Sequence, residues 1–109
     1  MGYLAKQKIF QKQLTINVKQ IIMRLLLISN STMAGEPYLD YCKNDIGEFL
    51  GKEKVEALFI PYAGVSMTYD EYEAKVKTRF QEVGHDVVSI HHFNDPIKAV
   101  QDAKAIVVG

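Results

Sequence analysis

The sequence predicts an α/β protein built on a parallel sheet. Four short apolar runs recur along residues 25–108, and helical spacing of apolar residues follows each of the first three. The connections between these segments are short. Strands that alternate with helices in this way form parallel sheets with right-handed crossovers. We therefore expect the order β-α-β-α-β-α-β over this part of the chain.

The first predicted strand is the apolar run Leu25–Ile28. A run without polar residues is typical of a strand buried on both faces. Ser29–Gly35 is a polar loop, and Pro37 suits the first turn of the next helix, where its missing N–H costs nothing. Gly51 is expected to end this helix. Its apolar residues fall on one face: Leu39, Cys42, Ile46, Phe49 and Leu50.

The second predicted strand is Val55–Ile60, and Pro61 closes it. Thr68 and Glu71 have the spacing of a capping box, in which each side chain accepts a hydrogen bond from the other's backbone N–H. The helix that follows is expected to stop at Gly84, in the left-handed conformation. Its predicted inner face consists of Tyr69, Tyr72, Val76, Phe80 and Val83.

The third predicted strand is His85–Ile90, which alternates between apolar and polar residues. Asp95–Pro96 is a helix start, with the aspartate as N-cap and proline at the first helical position. Ile97 and Val100 are expected to point inward from this short helix. Ala105–Val108 is the fourth predicted strand.

Composition limits the class of protein and its partners. The chain has 109 residues, 48% hydrophobic and 24% charged, which suits one globular domain. Residues 1–35 hold five basic residues and no acid, so residues 36–109 are mildly acidic, which argues against a nucleic-acid partner. Cys42 is the one cysteine and fits a reducing cytoplasm. The apolar stretch Ile21–Ile28 contains Arg24 and is too short for a bilayer, so no membrane partner is expected.

The first 22 residues differ from the rest of the chain. They are rich in Lys and Gln, and period-two spacing of their apolar residues could form a strand. Three interpretations remain open: an upstream extension that is not native, a disordered or strand-adding arm, and a targeting peptide. The predicted division is therefore residues 1–22 as an extension and residues 23–109 as the α/β part. The period-two residues are Leu14, Ile16, Val18 and Ile22.

Three segments carry a resemblance to a known family. Met23–Thr32, Phe59–Ser66 and Tyr69–Tyr72 resemble peptidase E, the α-aspartyl dipeptidases. The resemblance runs from Met23 to Gly109 and covers the amino-terminal part of that family's length. It implies a doubly wound sheet similar to class I glutamine amidotransferase domains, truncated here after the fourth strand. It also implies serine-type hydrolysis of dipeptides with an amino-terminal aspartate, without metal or cofactor.

The resemblance also implies where the site residues lie. Gly109 corresponds to the first glycine of a Gly-Gly-Gly-Asn turn that helps form the oxyanion hole. The family's nucleophilic serine and its histidine lie beyond this position, so no catalytic residue is expected in this chain, and alone it is expected to be inactive. Two loops should face the active site and contact substrate, through Asn30, Ser31, Thr32, Gly64 and Ser66.

The residues themselves leave alternatives open for these loops. Ser31 or Thr32 could instead cap the first helix. Gly64-Val65-Ser66 supplies only the first half of a nucleophile elbow, and nothing in the sequence places a histidine beside Ser66. Ser66 is therefore a weak candidate for a nucleophile.

No metal site is expected from the sequence. His91 and His92 are neighbours on a predicted extended chain, so they should point to opposite faces and not share one ion. The acidic residues of the second helix favourably oppose the helix dipole without any catalytic role. They are Asp70, Glu71 and Glu73.

Other function classes remain as rivals. A small flavodoxin-like module that binds a nucleotide or another ligand has the same alternation of strands and helices. A different amidotransferase-like hydrolase is a third interpretation. The flavodoxin-like module would be a monomer that a ligand stabilises, whereas in the peptidase E-like interpretation an exposed sheet edge could lead to self-association.

Overall fold

The computed structural model describes residues 12–18 and 21–109, with side chains from Met23 onward. Two 3₁₀ turns, Asp40–Cys42 and Ile90–His92, accompany the regular elements. Across these described residues, no helix is long and apolar enough to cross a bilayer. The strands and helices follow in the order β1 (Lys12–Val18), β2 (Ile21–Leu27), α1 (Lys43–Leu50), β3 (Glu56–Ile60), α2 (Tyr69–Glu82), β4 (Asp86–Ser89), α3 (Pro96–Asp102) and β5 (Ile106–Val108).

A parallel sheet with the strand order β4-β3-β5 forms the centre of the fold. Leu58 of β3 pairs with Val88 on one side and with Ile106 on the other. α2 connects β3 to β4, and α3 connects β4 back across β3 to β5. Because such crossovers are right-handed, the reversal of direction places α2 and α3 on opposite faces. The predicted α/β class with a parallel sheet is confirmed.

The main core lies between the sheet and the pair α1 and α2. Phe59 is fully buried, and its ring meets that of Tyr72 edge to face at 4.9 Å between centroids. Cys42 is buried in this core, as the apolar face of the first helix predicted. The buried members of the cluster are Ile28, Leu39, Cys42, Ile46, Ala57, Phe59, Tyr72, Val76, Phe80 and Val87.

The strand that contains Leu25 was expected to join the parallel sheet, but it pairs with a different strand. β2 pairs antiparallel with β1, with Leu14 opposite Leu25, and the two strands form a sheet of their own. A cavity of about 780 Å³ separates β2 from β5, and α1 closes one side of it. A continuous apolar run predicts that a strand is buried, but it does not identify the neighbouring strand. Here β1 forms hydrogen bonds with one edge of β2.

This cavity leaves β5 as an edge strand among the described residues. Ile106 and Val108 are 45% and 41% exposed. The self-association expected from an open edge stays a prediction. The predicted division at Met23 also stays a prediction, since residues 1–11 and 19–20 lie outside the described part of the chain.

Helix ends follow the sequence closely. Thr68 Oγ1 accepts from the N–H of Glu71 at 3.1 Å, and Glu71 Oε2 accepts from the N–H of Thr68 at 2.8 Å. Asp95 caps α3 by accepting from the N–H of Lys98 at 3.0 Å. Gly84 has a φ of 86°, a value that favours glycine. The predicted capping box, N-cap and left-handed stop are confirmed.

Two local expectations are wrong. Pro37 does not lie in the first helical turn, because Leu39 has a φ of 56° and the helical segment begins only after it. Ile97 and Val100 do not point inward: they are 71% and 41% exposed. α3 has only seven residues and none of them is buried, since it packs mainly against the Ile90–His92 turn.

An acid-sensitive ion pair joins α2 to the start of β4. Lys77 Nζ lies 2.9 Å from Asp86 Oδ1, which also accepts from the N–H of Val87 at 2.8 Å. Burial opposes ionisation of Asp86, but these partners outweigh it and hold the pKa of its carboxyl below the ordinary value of 3.8. A lowered pKa stabilises the fold above that value, and the contribution is lost as the pH falls below it.

We expect Asp86→Asn to lower the free energy of unfolding at pH 7 by about 0.5–1 kcal/mol, because this pair is partly exposed. The difference from wild type should shrink as the pH falls from 5 toward 3. Urea unfolding followed by circular dichroism at several pH values measures it. Asp102→Asn, at an exposed pair with Lys98, is the matched control and should change little. A constant difference across this pH range would contradict the assignment.

Candidate functional site

The candidate site lies at the edge of the sheet where β3, β4 and β5 end. β3 and β5 are neighbours, but the connection from β3 leads away to β4. Open α/β sheets bind ligands beyond the carboxyl ends of strands, beside such a reversal of strand order. The loop after β3 and Gly109 after β5 therefore flank the place where a ligand is expected.

Tyr72 of α2 brings Gly64 and Gly109 together. A Cβ atom on Gly64 would lie 2.6 Å from Tyr72 Cδ2, and one on Gly109 would lie 2.6 Å from Tyr72 Oη. Both distances are shorter than real carbon contacts allow, so these two positions need glycine for space. The chain holds them there through hydrogen bonds from Gly64 N–H to Pro61 O at 2.9 Å and from Gly109 N–H to Ile60 O at 3.0 Å.

Ser66 lies on the outer part of the loop after β3. Its side chain is exposed, and its neighbour Val65 is 96% exposed. Within the described residues, the Ser66 hydroxyl has no hydrogen bond to a histidine. The described residues therefore offer no general base that would activate Ser66 as a nucleophile.

The loop after β2 is fixed through its backbone. Leu39 N–H donates to Ser31 O at 2.6 Å, and the Tyr41 hydroxyl donates to Asn30 O. Neither Ser31 nor Thr32 caps a helix, because the N-cap positions are Leu39 and Cys42 and neither has a side-chain cap. This removes the capping alternative and leaves both hydroxyls, in the described part of the chain, without a hydrogen-bond partner.

Tyr38 links this loop to Tyr72. Their rings meet edge to face, with centroids 6.2 Å apart. The Tyr38 hydroxyl is buried and lacks a hydrogen-bond partner among the described residues. Burial, followed by the neighbouring Tyr72 phenol, raises the pKa of Tyr38 above its ordinary value of 10.0.

A row of rings crosses the same edge of the sheet. Tyr62 and Tyr69 meet at 5.6 Å between centroids, Tyr69 and His91 at 5.6 Å, and His91 and His92 at 4.0 Å. Helical spacing had placed Tyr69 on the buried face of α2, but it is 39% exposed. It is the first residue of α2, where a side chain can turn toward the preceding loop instead of the core. In the sequence, its position directly after the N-cap residue Thr68 is the signal that could have indicated this exposure.

The two histidines belong to a cluster with carboxylates from α2. His91 Nε2 lies 2.7 Å from Asp70 Oδ1, and His91 Nδ1 contacts the hydroxyl of Ser89. His92 Nε2 lies 3.0 Å from Glu73 Oε1, and the N–H of Ser89 donates to Glu73 Oε2. The expectation that the histidines point to opposite faces is wrong, because they lie on the Ile90–His92 turn and not on an extended strand.

Ser89, His91 and Asp70 have the residue types of a catalytic triad, but their placement excludes that role. Ser89 is completely buried, so its hydroxyl cannot reach a substrate. A triad also needs a nucleophile exposed to the reacting carbonyl. The three side chains therefore act as a hydrogen-bonded connection between β4 and α2.

Comparison with known proteins gives consistent matches over the same residues. The family described as peptidase family S51 matches residues 25–109. Peptidase E of Nostoc sp. is 43% identical over 86 residues, which cover 79% of this chain and 36% of that protein. Peptidase E of Citrobacter koseri is 39% identical over 87 residues, which cover 80% of this chain and 38% of that protein. The chain thus spans little more than a third of the length of these relatives.

Proposed function

Because the chain belongs to peptidase family S51, we propose that it forms the amino-terminal part of a serine peptidase active site. The intact protein would hydrolyse dipeptides with an amino-terminal aspartate, as the resemblance to peptidase E implies. One observation supports this most: Gly64 and Gly109 meet the same ring, Tyr72, at the carboxyl ends of neighbouring strands. The loop that holds Gly64 is thus next to Gly109, where the oxyanion loop begins in this proposal.

The proposal gives each of these positions a role. Gly109 opens the loop whose backbone N–H groups bind the oxyanion, because a glycine lets that backbone approach the carbonyl closely. Asn30, Ser31 and Thr32 line one wall of the substrate pocket, and Gly64 with Ser66 line the other. The hydroxyls of Ser31, which is partly exposed, and Thr32, which is exposed, have no partner among the described residues; this supports the proposal, since such hydroxyls near a strand end can bind a polar ligand.

In this proposal, the nucleophilic serine and its histidine lie in the part of the family's sequence that follows the position of Gly109. Within the described residues, Ser89 is the serine that contacts a histidine, and it is buried. We therefore propose that residues 1–109 alone hydrolyse no dipeptide. A cytoplasmic location fits a chain whose one cysteine can form no internal disulfide.

A hybrid enzyme tests the proposed function. Residues 25–109 replace the corresponding region of Nostoc peptidase E, and the purified hybrid is assayed with an aspartyl dipeptide. We expect hydrolysis by the hybrid and none by residues 1–109 alone. The same hybrid is the control when its nucleophilic serine, which the resemblance places in a Gly-x-Ser-x-Gly elbow beyond the exchanged region, is changed to alanine; it should be inactive.

Two results would contradict the proposal. One is a hybrid that folds, by circular dichroism, but hydrolyses no aspartyl dipeptide. The other is hydrolysis by residues 1–109 alone. Stabilisation of residues 1–109 by a nucleotide, measured by thermal unfolding, would instead favour the flavodoxin-like binding module.

A further inference from the structure

We propose that Asp70, His91 and His92 bind one divalent transition-metal ion of the zinc class. Each offers one ligand atom, and the three atoms lie within 4.8 Å of one another. The site goes beyond the proposed peptidase, whose hydrolysis is expected to need no metal. It lies at the start of α2 and the end of β4, beside the candidate substrate loops.

The spacing of the ligand atoms suits a tetrahedral ion. Zinc bonds of 2.0–2.1 Å to nitrogen and oxygen place ligand atoms about 3.4 Å apart. Asp70 Oδ1 lies 2.7 Å from His91 Nε2 and 3.8 Å from His92 Nε2, so these pairs lie on either side of that value. Glu73 Oε1 contacts His92 Nε2 at 3.0 Å but lies outside this group of three, so water would fill the fourth position. Shifts of less than about 1 Å would bring the two contacts of Asp70 with the histidines to this spacing.

Groups behind the ligands hold them in position. The second ring nitrogen of a metal-bound histidine commonly donates to a neighbouring oxygen, which fixes the ring. Ser89 Oγ occupies this place at His91 Nδ1. The serine hydroxyl can donate or accept, so it allows the tautomer that leaves a lone pair on His91 Nε2. The N–H of Ser89 also holds the other oxygen of Glu73.

The donor set indicates the kind of ion. Two imidazoles with one carboxylate suit zinc, copper, nickel and iron better than magnesium or calcium, which prefer oxygen ligands alone. An ion here would join the first turns of α2 to the Ile90–His92 turn. Because the ring row runs from His91 to Tyr62, the ion would also fix the aromatic side of the candidate site.

Zinc binding to the purified 109-residue chain, without a polyhistidine tag, tests the proposal. Isothermal titration with Zn²⁺ should give one ion per chain with a Kd below about 100 µM. Co²⁺ should give visible absorption bands of a four-coordinate ion, and Zn²⁺ should remove them. Mg²⁺ should neither bind comparably nor displace Co²⁺.

Single substitutions locate the ion. His92→Gln and Asp70→Asn remove ligands that are 45% and 76% exposed, so the fold should remain intact. Each is expected to weaken Zn²⁺ binding at least about tenfold and to reduce the Co²⁺ absorption. Asp102→Asn, an exposed carboxylate on α3, is the matched control and should bind like wild type.

Two outcomes would overturn the site. One is the absence of saturable Zn²⁺ binding to folded wild-type chain. The other is binding that His92→Gln and Asp70→Asn leave unchanged, which would place the ion elsewhere. Either outcome leaves the proposed peptidase function untouched, because the hybrid assay is independent of this cluster's metal.

Discussion

Phe59→Ala is expected to remove most of the chain's free energy of unfolding at 25 °C. Phe59 is fully buried in the middle of β3, and its ring packs edge to face on Tyr72. Replacing a buried phenylalanine with alanine costs about 3–5 kcal/mol, from lost burial and from the cavity that remains. A chain of this length has a free energy of unfolding of about 5–15 kcal/mol, and small cores lie at the low end.

Urea unfolding followed by circular dichroism measures this loss. Phe93→Ala provides the matched control, because Phe93 lies on the surface and is 42% exposed. The control should lower the free energy of unfolding by less than about 1 kcal/mol. Equal losses for the two variants would show that β3 does not form the centre of the core.

Gly64→Ala is expected to destabilise the chain by about 1–3 kcal/mol, the usual cost of overpacking. The added methyl would lie 2.6 Å from Tyr72 Cδ2 and 3.3 Å from Pro61 O. Tyr72 is nearly buried, so its ring has little room to move away. Ser66→Ala, in the exposed part of the same loop, is the control and should stay within about 0.5 kcal/mol of wild type.

A double-mutant cycle shows whether Tyr72 is the cause. Tyr72→Leu removes the ring and destabilises the chain by itself. In that background, Gly64→Ala should add less than about 0.5 kcal/mol, because the two positions are in contact and their effects do not add. Full additivity would mean that the ring is not what excludes a side chain at position 64.

Local interactions made most of the helices predictable. The capping box at Thr68 and Glu71, the N-cap at Asp95 and the stop at Gly84 each depend on residues within a few positions of one another. The alternation of strands and helices then predicted the parallel sheet, because short connections allow few other topologies. Each of these features can be read from a segment of the chain alone.

Features that depend on distant residues could not be predicted in the same way. The partner of β2 is a strand from residues 12–18, and an apolar run does not identify its neighbour. Ile97 and Val100 keep helical spacing, but the sheet offers no surface that buries them. Spacing can assign a residue to a face, whereas burial depends on what the fold places opposite that face.

At the candidate site, too, features that depend on nearby residues were predictable and features that depend on distant residues were not. The sequence and the resemblance pointed to the two strand-end loops and to Gly109, but the contact of two glycines with Tyr72 needs the packed helix. The histidine cluster was missed because one 3₁₀ turn replaces the expected extended backbone at His91 and His92. A short turn of this kind changes which side chains meet, and no pattern in the sequence marks it.

The closed start of α2 limits how an acidic ligand could be recognised. Helix starts commonly attract anions through their unsatisfied N–H groups. Here the amides of Thr68 and Glu71 are already occupied by each other's side chains, and Asp70 adds negative charge at the same turn. In the proposed function, an aspartyl carboxylate of the substrate would find these two amides occupied, so the start of α2 would not be its binding site.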